Sequence, residues 1–144
     1  MKRRHIENMI YLKDSKLQVN GAAEVAKVFQ DILALEDHLE QEKEHYYVMH
    51  VNVRSQVMMV ELVTVGTVSS SLVHPRETFR RAVMAGSTSI IIAHNHPSGE
   101  VDPSDEDTKV TKLMFDAGNL LGITMLDHII FTKDSYFSFR NNGK

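Results

Sequence analysis

Cysteine is absent from this sequence of 144 residues. Its absence excludes disulfide-stabilised secreted scaffolds, zinc ribbons with cysteine ligands, thiol proteases and redox CxxC motifs. A chain of this size buries roughly 68% of the surface that its unfolded form exposes, so a hydrophobic core suffices without cross-links. Because 42% of the residues are hydrophobic and 24% are charged, the composition predicts an ordinary globular domain.

Long hydrophobic runs are also absent. Runs such as residues 90–93 are far shorter than the roughly 20 apolar residues that a membrane helix requires. The basic residues at the start are followed by the polar Glu7 and Asn8, where a signal peptide needs an apolar stretch. The sequence therefore predicts a cytoplasmic protein without a membrane segment.

An excess of basic residues is missing as well. The 16 Lys and Arg residues against 19 Asp and Glu residues give a formal net charge of −3. Nucleic-acid-binding domains usually present a strongly basic face, so the charge balance disfavours direct nucleic-acid binding. Residues 100–107 include five acidic side chains and no basic one. Such a loop repels phosphate and attracts cations.

Periodicity and turn residues predict the elements of the first half of the chain. Apolar residues at helical spacing predict an amphipathic helix over residues 22–38. Residues rich in Val, Tyr and Met predict strands over 46–53 and 56–65, joined as a hairpin. A proline at the first helical position and a glycine after the last one predict a helix over 75–85.

The second half continues the alternation of strands and helices. Its predicted elements are a buried strand over 87–93, a polar loop over 94–103, a helix between Ser104 and Gly122, and strands over 123–131 and 136–139. The order α-β-β-α-β-α-β-β predicts an α/β fold with a mixed central sheet flanked by helices. Residues 1–19 are expected to form an N-terminal arm or a short strand, and residues 20–144 the domain.

The residues with the clearest chemistry lie around the predicted polar loop. His94 and His96 are separated by one residue, so at a strand end both side chains project to the same face and can chelate one ion. Asp107 lies in the first turn of the next helix, and the prolines and glycine of the loop let it fold back toward the strand. Two imidazoles and a carboxylate leave one position of a tetrahedral zinc site open, which is typical of catalytic zinc.

The same residues have simpler interpretations. A single histidine near a strand end is more often a surface residue than a ligand, and the pairing of His94 with His96 is what favours a site. Ser104 and Asp107 have the spacing of a capping box at a helix N-terminus. Capping and ligation are compatible, so both uses stay open.

The spacing His-x-His, seven residues, Ser-x-x-Asp resembles the metal signature of the JAMM (MPN-plus, JAB) metalloprotease superfamily, filled here by His94, His96, Ser104 and Asp107. The segments that resemble its RadC branch are Val73-His74-Pro75-Arg76-Glu77, Ala93-His94-Asn95-His96-Pro97-Ser98-Gly99, Ala117-Gly118, Leu121-Gly122-Ile123 and Asp127-His128. The resemblance extends from about residue 44 to residue 139. It implies an MPN/JAB fold, an α-β-α sandwich similar to that of cytidine deaminases, with a zinc cofactor.

The resemblance also implies roles for residues outside the metal signature. The superfamily uses an upstream glutamate that holds the attacking water and acts as general acid and base. Glu44 matches the Glu-aromatic strand start of the RadC pattern, and Glu61 in the next strand is the alternative. Asp127 and His128 match a recurring RadC pair. Because adjacent strand residues point to opposite faces, only one of them faces the site, in a supporting role.

These residues together imply hydrolysis of an amide or isopeptide bond in a peptide or protein substrate. His94, His96 and Asp107 would hold Zn²⁺. Glu44 would take a proton from water and return it to the leaving amine, and Ser104 would donate a hydrogen bond to the developing oxyanion. Zinc deaminases use cysteine ligands, so base deamination is excluded.

Two other function classes stay open. The first is a DNA-repair-associated factor that acts on or near DNA, for which Arg76, Arg80 and Arg81 would supply a small basic patch. Longer RadC proteins carry a helix-hairpin-helix DNA-binding region in front, and the sequence is expected to represent a JAB domain without it. The second is a non-catalytic scaffold similar to MPN-minus proteins, which has no need of chelating residues. The sequence indicates neither the natural substrate nor the oligomeric state.

Overall fold

The computed structural model describes residues 2–4, 9–11 and 17–143, and side chains from residue 17 onward. The helices of this part are α1 (Ala22–Leu33), α2 (His38–Gln41), α3 (Pro75–Ala85) and α4 (Asp105–Leu121), and a 3-10 turn spans Arg140–Asn142. The strands are β1 (Lys2–Arg4), β2 (Met9–Tyr11), β3 (His45–Val51), β4 (Val57–Val65), β5 (Ser89–Asn95), β6 (Thr124–Phe131) and β7 (Tyr136–Ser138).

These strands form one mixed sheet in the order β1-β2-β4-β3-β5-β6-β7. The neighbours β5 and β6 are parallel and are connected through α4, while the other neighbouring strands are antiparallel. The carboxyl ends of β5 and β6 therefore lie at the same edge of the sheet. The chain turns back after the end of β5, so the first turn of α4 lies near that edge.

Two hydrophobic clusters cover the two faces of the sheet. One contains Phe29 of α1 with Tyr47, Ile91 and Phe131 of the strands. The other contains residues of α3 and α4 with Tyr46, Val48, Ile90 and Ile92 from the alternate strand positions. Because helices pack on both faces, the architecture is an α-β-α sandwich. The predicted α/β class with a mixed central sheet is confirmed.

The first helix is shorter than predicted. α1 ends at Leu33 rather than near residue 38, and the chain turns before Asp37 begins the short α2 by accepting a hydrogen bond from the Glu40 N–H. Leu35, whose position favoured the longer predicted helix, is 59% exposed and does not belong to the core. The side chain of Asp37 competes for the backbone there, as capping residues do.

The strand β5 is longer at its carboxyl end than predicted. His94 and Asn95, assigned above to a loop, pair with Ile130 and Phe131 of β6, and His94 also pairs with Tyr46 of β3. His94 and Asn95 are polar, yet both are buried in a central strand. Their polarity in the sequence suggested a loop and did not reveal this burial. The predicted hairpin, the bounds of α3 and the terminal glycines Gly86 and Gly122 are confirmed.

Residues 1–19, predicted as an arm or short strand, contain two short strands within the described ranges. β1 pairs with β2, and β2 pairs with β4, so this segment extends the sheet. The boundary between residues 19 and 20 stays a prediction. Among the helices described, none combines the length and the apolar character needed to cross a bilayer. The cytoplasmic location also stays a prediction.

Candidate metal centre

Strand alternation places two histidines on the α4 side of the sheet. His94 follows Ile90 and Ile92 at every second position of β5, and both isoleucines belong to the cluster under α3 and α4. His128 of β6 alternates with Ile129, which belongs to the opposite cluster. The backbone N–H of His96 donates a hydrogen bond of 3.0 Å to the carbonyl of Phe131, so the residue after β5 stays at the sheet edge.

Three predicted ligands converge at this edge. The Nε2 atoms of His94 and His96 are 3.1 Å apart. The Asp107 carboxylate places Oδ1 at 3.1 Å from His94 Nε2 and Oδ2 at 3.1 Å from His96 Nε2. A tetrahedral zinc ion with bonds of about 2.0 Å holds its ligand atoms about 3.3 Å apart. The spacing of the three side chains therefore fits the coordination of a single small cation.

Asp107 is oriented by the N-terminus of α4. The Asp107 N–H donates to Ser104 Oγ at 3.1 Å, and the Ser104 N–H donates to Asp107 Oδ2 at 2.9 Å. These two bonds form a capping box, as the spacing predicted. They also fix the carboxylate toward His94 and His96, so the cap of the helix and the geometry of the site depend on the same bonds.

The donor set itself requires a positive charge at its centre. His96 Nδ1 lies 2.9 Å from the carbonyl oxygen of Glu100, which can only accept, so Nδ1 carries the proton of the neutral ring. His96 Nε2 then presents a lone pair to the Asp107 carboxylate, which also presents lone pairs. Such atoms repel one another at 3.1 Å unless a cation or a proton lies between them. The residues fit a divalent metal with nitrogen and oxygen ligands.

Burial and charge shift the titration of these groups. Burial raises the pKa of Asp107, but a proton or cation held between its carboxylate and the His94 and His96 rings, together with the amide of Ser104, outweighs burial and holds that pKa well below its usual range. The Asp107 carboxylate raises the pKa of His96 above its ordinary value. Burial lowers the pKa of His128 well below its ordinary value, which favours a neutral ring. The site thus keeps its carboxylate ionised and ready to bind a cation.

Glu44 lies beside the ligands, immediately before β3. One side-chain atom from each of Glu44, His94 and His96 lies within 4.8 Å of the other two. Glu44 Oε1 accepts a hydrogen bond of 3.0 Å from the Val68 N–H, which orients the carboxylate. The Gly66 N–H donates to the Glu44 carbonyl at 2.8 Å and holds the backbone.

The alternative glutamate occupies a different environment. Glu61 of β4 contacts His50 Nε2 at 3.1 Å and the Arg81 Nε at 3.4 Å. Both of its carboxylate oxygens are thus engaged in an ion-pair cluster between the sheet and α3. Of the two glutamates, the structure brings Glu44 to the histidine pair.

Asn95 is a positioning residue that the sequence analysis missed. It lies between the two histidines, and its side chain points to the opposite face of β5. Its Oδ1 accepts from the His45 N–H at 2.6 Å, and its Nδ2 donates to the Lys43 carbonyl at 3.0 Å. These bonds fix the chain on both sides of Glu44. An asparagine at a buried strand position is the signal that could have identified it.

Residues 19–144 match the family described as the RadC-like JAB domain. The chain belongs to that family. One relative, a UPF0758 protein from Chlorobaculum parvum, is 40% identical over 133 residues, which cover 92% of this chain and 58% of the relative. A UPF0758 protein from Pelodictyon phaeoclathratiforme is 48% identical over 101 residues, covering 70% of this chain and 46% of the relative. The RadC-like JAB domain therefore spans about half the length of these relatives, whose name states no activity.

In this RadC-like JAB domain the side chains of Asp127 and His128 point to opposite faces of β6, as strand alternation predicted. His128 is fully buried with its Nε2 2.9 Å from His94 Nδ1. Asp127 instead accepts hydrogen bonds from the Ser138 hydroxyl and the Arg140 N–H. Its bonds hold the chain end against β6. His128 is thus the member of the pair that touches the metal centre.

Proposed function

We propose that this RadC-like JAB domain is a zinc-dependent hydrolase that cleaves an amide or isopeptide bond in a peptide or protein. The observation that carries the proposal is the convergence of His94, His96 and Asp107 at mutual distances of 3.1 Å beside Glu44. Zinc, when bound, supplies Lewis acidity that allows water to lose a proton near neutral pH. The remaining chemistry belongs to side chains of the protein.

Glu44 is the proposed general base and acid. One of its oxygens is held by the Val68 N–H, which leaves the other oxygen to take a proton from the attacking water. The same carboxyl group then returns the proton to the leaving amine. Its placement before β3 supports this role, because the backbone on either side is fixed by Asn95.

Ser104 is the proposed oxyanion donor. Its Oγ accepts a hydrogen bond from the Asp107 N–H, so the hydroxyl proton can still be donated to a substrate oxygen. Ser104 is exposed at the N-terminus of α4, where substrate has access and the helix dipole favours a developing negative charge. One such donor contributes roughly 3–4 kcal/mol in comparable sites.

A cleft lies beside the candidate site on the α1 side of the sheet. It has a volume of about 410 Å³ and lies between α1, the loop after β5 and the turn from β6 to β7. Asn95, His96 and Gly99 line it, whereas Glu44, His94 and Asp107 do not. A polypeptide bound in this cleft would therefore approach the proposed ligands at His96.

Substitution of the proposed base tests the function directly. The zinc-loaded protein is incubated with a quenched-fluorescent peptide library that contains both α-amide and lysine isopeptide linkages. Glu44→Gln keeps the size of the side chain but cannot take a proton, so we expect cleavage to fall by about 10²-fold or more while zinc content stays stoichiometric. His94→Ala should lose both zinc and cleavage.

Glu61→Gln is the matched control, since it changes the alternative glutamate in the same way. It should retain zinc-dependent cleavage. Cleavage lost in Glu61→Gln and retained in Glu44→Gln would move the base to Glu61. Absence of zinc-dependent cleavage of any linkage by the wild-type protein would overturn the hydrolase proposal.

The described structure gives the DNA-associated alternative little support. Arg80 pairs with Glu77 at 2.9 Å, and Arg76 lies 3.8 Å from the same carboxylate. Arg81 contacts Glu61 at 3.4 Å. The predicted basic patch is thus partly neutralised by Glu77 of α3 and Glu61 of β4. A salt-sensitive mobility shift of duplex DNA at physiological ionic strength would favour this alternative instead.

A further inference from the structure

A chain of buried hydrogen bonds runs behind the metal centre. His94 Nδ1 lies 2.9 Å from His128 Nε2, and His128 Nδ1 lies 2.6 Å from Thr111 Oγ1. The Thr111 hydroxyl in turn lies 2.8 Å from the carbonyl oxygen of Asp107. The chain begins at one proposed ligand and ends on the backbone of another, and it connects β5, β6 and α4.

The position of each proton follows from the end of this chain. A carbonyl can only accept, so the Thr111 hydroxyl donates to Asp107 and its oxygen accepts from His128 Nδ1–H. The His128 ring is fully buried, and its nitrogens contact His94 and Thr111 rather than a carboxylate, so the ring is neutral with a single proton and its Nε2 is an acceptor. His94 must then donate through Nδ1–H, which leaves its Nε2 with a lone pair directed at Asp107 and His96.

We propose that His128 is a positioning residue that fixes His94 in the tautomer whose Nε2 lone pair faces the metal. The inference rests on the proposed function, since it concerns the same metal centre. At His96 the backbone carbonyl of Glu100 has the corresponding role. The acceptor behind His94 is a side chain, so it can be replaced without altering the backbone.

The contacts of His128 allow the effect of its hydrogen bond to His94 to be tested separately from the effect of its ring packing. The His128 ring stacks on Phe139 with centroids 4.9 Å apart and an interplanar angle of 16°. His128→Phe preserves a ring in this stack and removes the acceptor. His128→Gln restores an acceptor near the position of Nε2 without the ring. Phe139→Leu, the matched packing control, removes the stack and leaves the hydrogen bonds.

Zinc affinity is measured by competition with a chromophoric chelator. We expect His128→Phe to bind zinc about 10- to 100-fold more weakly than the wild type. This is the usual loss of affinity when a metal-ligating histidine loses the hydrogen-bond partner of its other ring nitrogen. His128→Gln should recover much of the affinity, and Phe139→Leu should keep it. A purely structural role of the ring predicts the opposite order, with His128→Phe close to the wild type.

Two-bond ¹H–¹⁵N NMR correlation spectra of the metal-free wild-type protein provide a readout that needs neither metal nor activity. They should show His94 protonated at Nδ1 and His128 protonated at Nδ1. A His94 ring protonated at Nε2, or wild-type zinc affinity in His128→Phe, would overturn the inference. A wild-type protein that binds zinc with these tautomers but cleaves no linkage would overturn the hydrolase proposal alone.

Discussion

Tyr46 shows how a single buried polar group makes stability depend on pH. Its side chain is fully buried under α3, and its hydroxyl lies 3.0 Å from Thr78 Oγ1. Burial raises the pKa of Tyr46 well above its ordinary value. A phenolate in this position would lose its hydration without gaining a cation, so the fold requires the neutral form.

We predict that Tyr46 weakens the fold at alkaline pH. Because the folded-state pKa is raised, its contribution to the free energy of unfolding is complete below about pH 10 and is lost as pH rises further. Urea unfolding of the wild type and Tyr46→Phe, from about pH 8 to about pH 11, measures the difference. Tyr46→Phe should be less stable at the lower pH by about 1 kcal/mol and should lose less stability as pH rises. Parallel pH profiles would contradict the prediction.

At the residue scale, the sequence predicted three side chains that converge at the candidate metal centre. His94, His96 and Asp107 lie within one loop and helix start, so their convergence follows from local geometry. Thr111 and Asn95 were not predicted, because Thr111 meets His128 only when α4 packs on β6 and Asn95 contacts a distant segment. Asn95 binds backbone groups at residues 43 and 45, and this contact exists only after β3 has paired with β5.

At the scale of elements, the packing of α4 depends on one glycine. A Cβ atom at Gly118 would lie 2.3 Å from the carbonyl oxygen of Ile123 and 3.2 Å from the Phe79 ring. The backbone oxygen cannot move aside as a flexible side chain can. Gly118 therefore allows α4 to approach both α3 and the start of β6.

We predict that Gly118→Ala destabilises the protein by about 1–3 kcal/mol, through overpacking. In an exposed helix the same substitution would stabilise by roughly 1 kcal/mol, so the sign of the change is diagnostic. The free energy of unfolding, measured by urea titration, provides the test. A stabilising effect of Gly118→Ala would contradict the close approach of α4 to these groups.

Element bounds were predictable where local chemistry determines them. Pro75 and Gly86 delimit α3, and Ser104 with Gly122 delimits α4, because caps are local hydrogen-bond arrangements. The end of β5 was missed, since it depends on partners supplied by β3 and β6. The predicted layer arrangement was correct because β5 contains a continuous apolar run over residues 90–93, which requires cover on both faces of the sheet.

At the scale of the molecule, the candidate metal centre is formed by separate parts of the chain. Glu44 precedes β3, His94 and His96 end β5, Asp107 begins α4, and His128 belongs to β6. A cation bound by the three proposed ligands would connect the sheet edge to α4. Binding to a site that exists only in the folded protein stabilises the fold by mass action.

We predict that zinc raises the stability of the whole domain. With free zinc at about 100 times the dissociation constant, the free energy of unfolding should increase by about 2.7 kcal/mol. Thermal melting with zinc, and again after addition of a chelator, measures this increase. Asp107→Asn should reduce the shift, whereas Asp102→Asn changes an acidic residue of the same loop and should leave it unchanged. Equal shifts in the two variants would place the bound ion elsewhere.

The separation of Glu44 from the histidines along the chain has a consequence for the proposed hydrolysis. The proposed nitrogen and carboxylate ligands fall within residues 94–107, so closing the loop between them costs little entropy. The proposed base lies fifty positions before His94 and reaches the histidines through the pairing of β3 with β5. A substitution that loosens the contact between these two strands should therefore reduce cleavage more than it reduces zinc affinity.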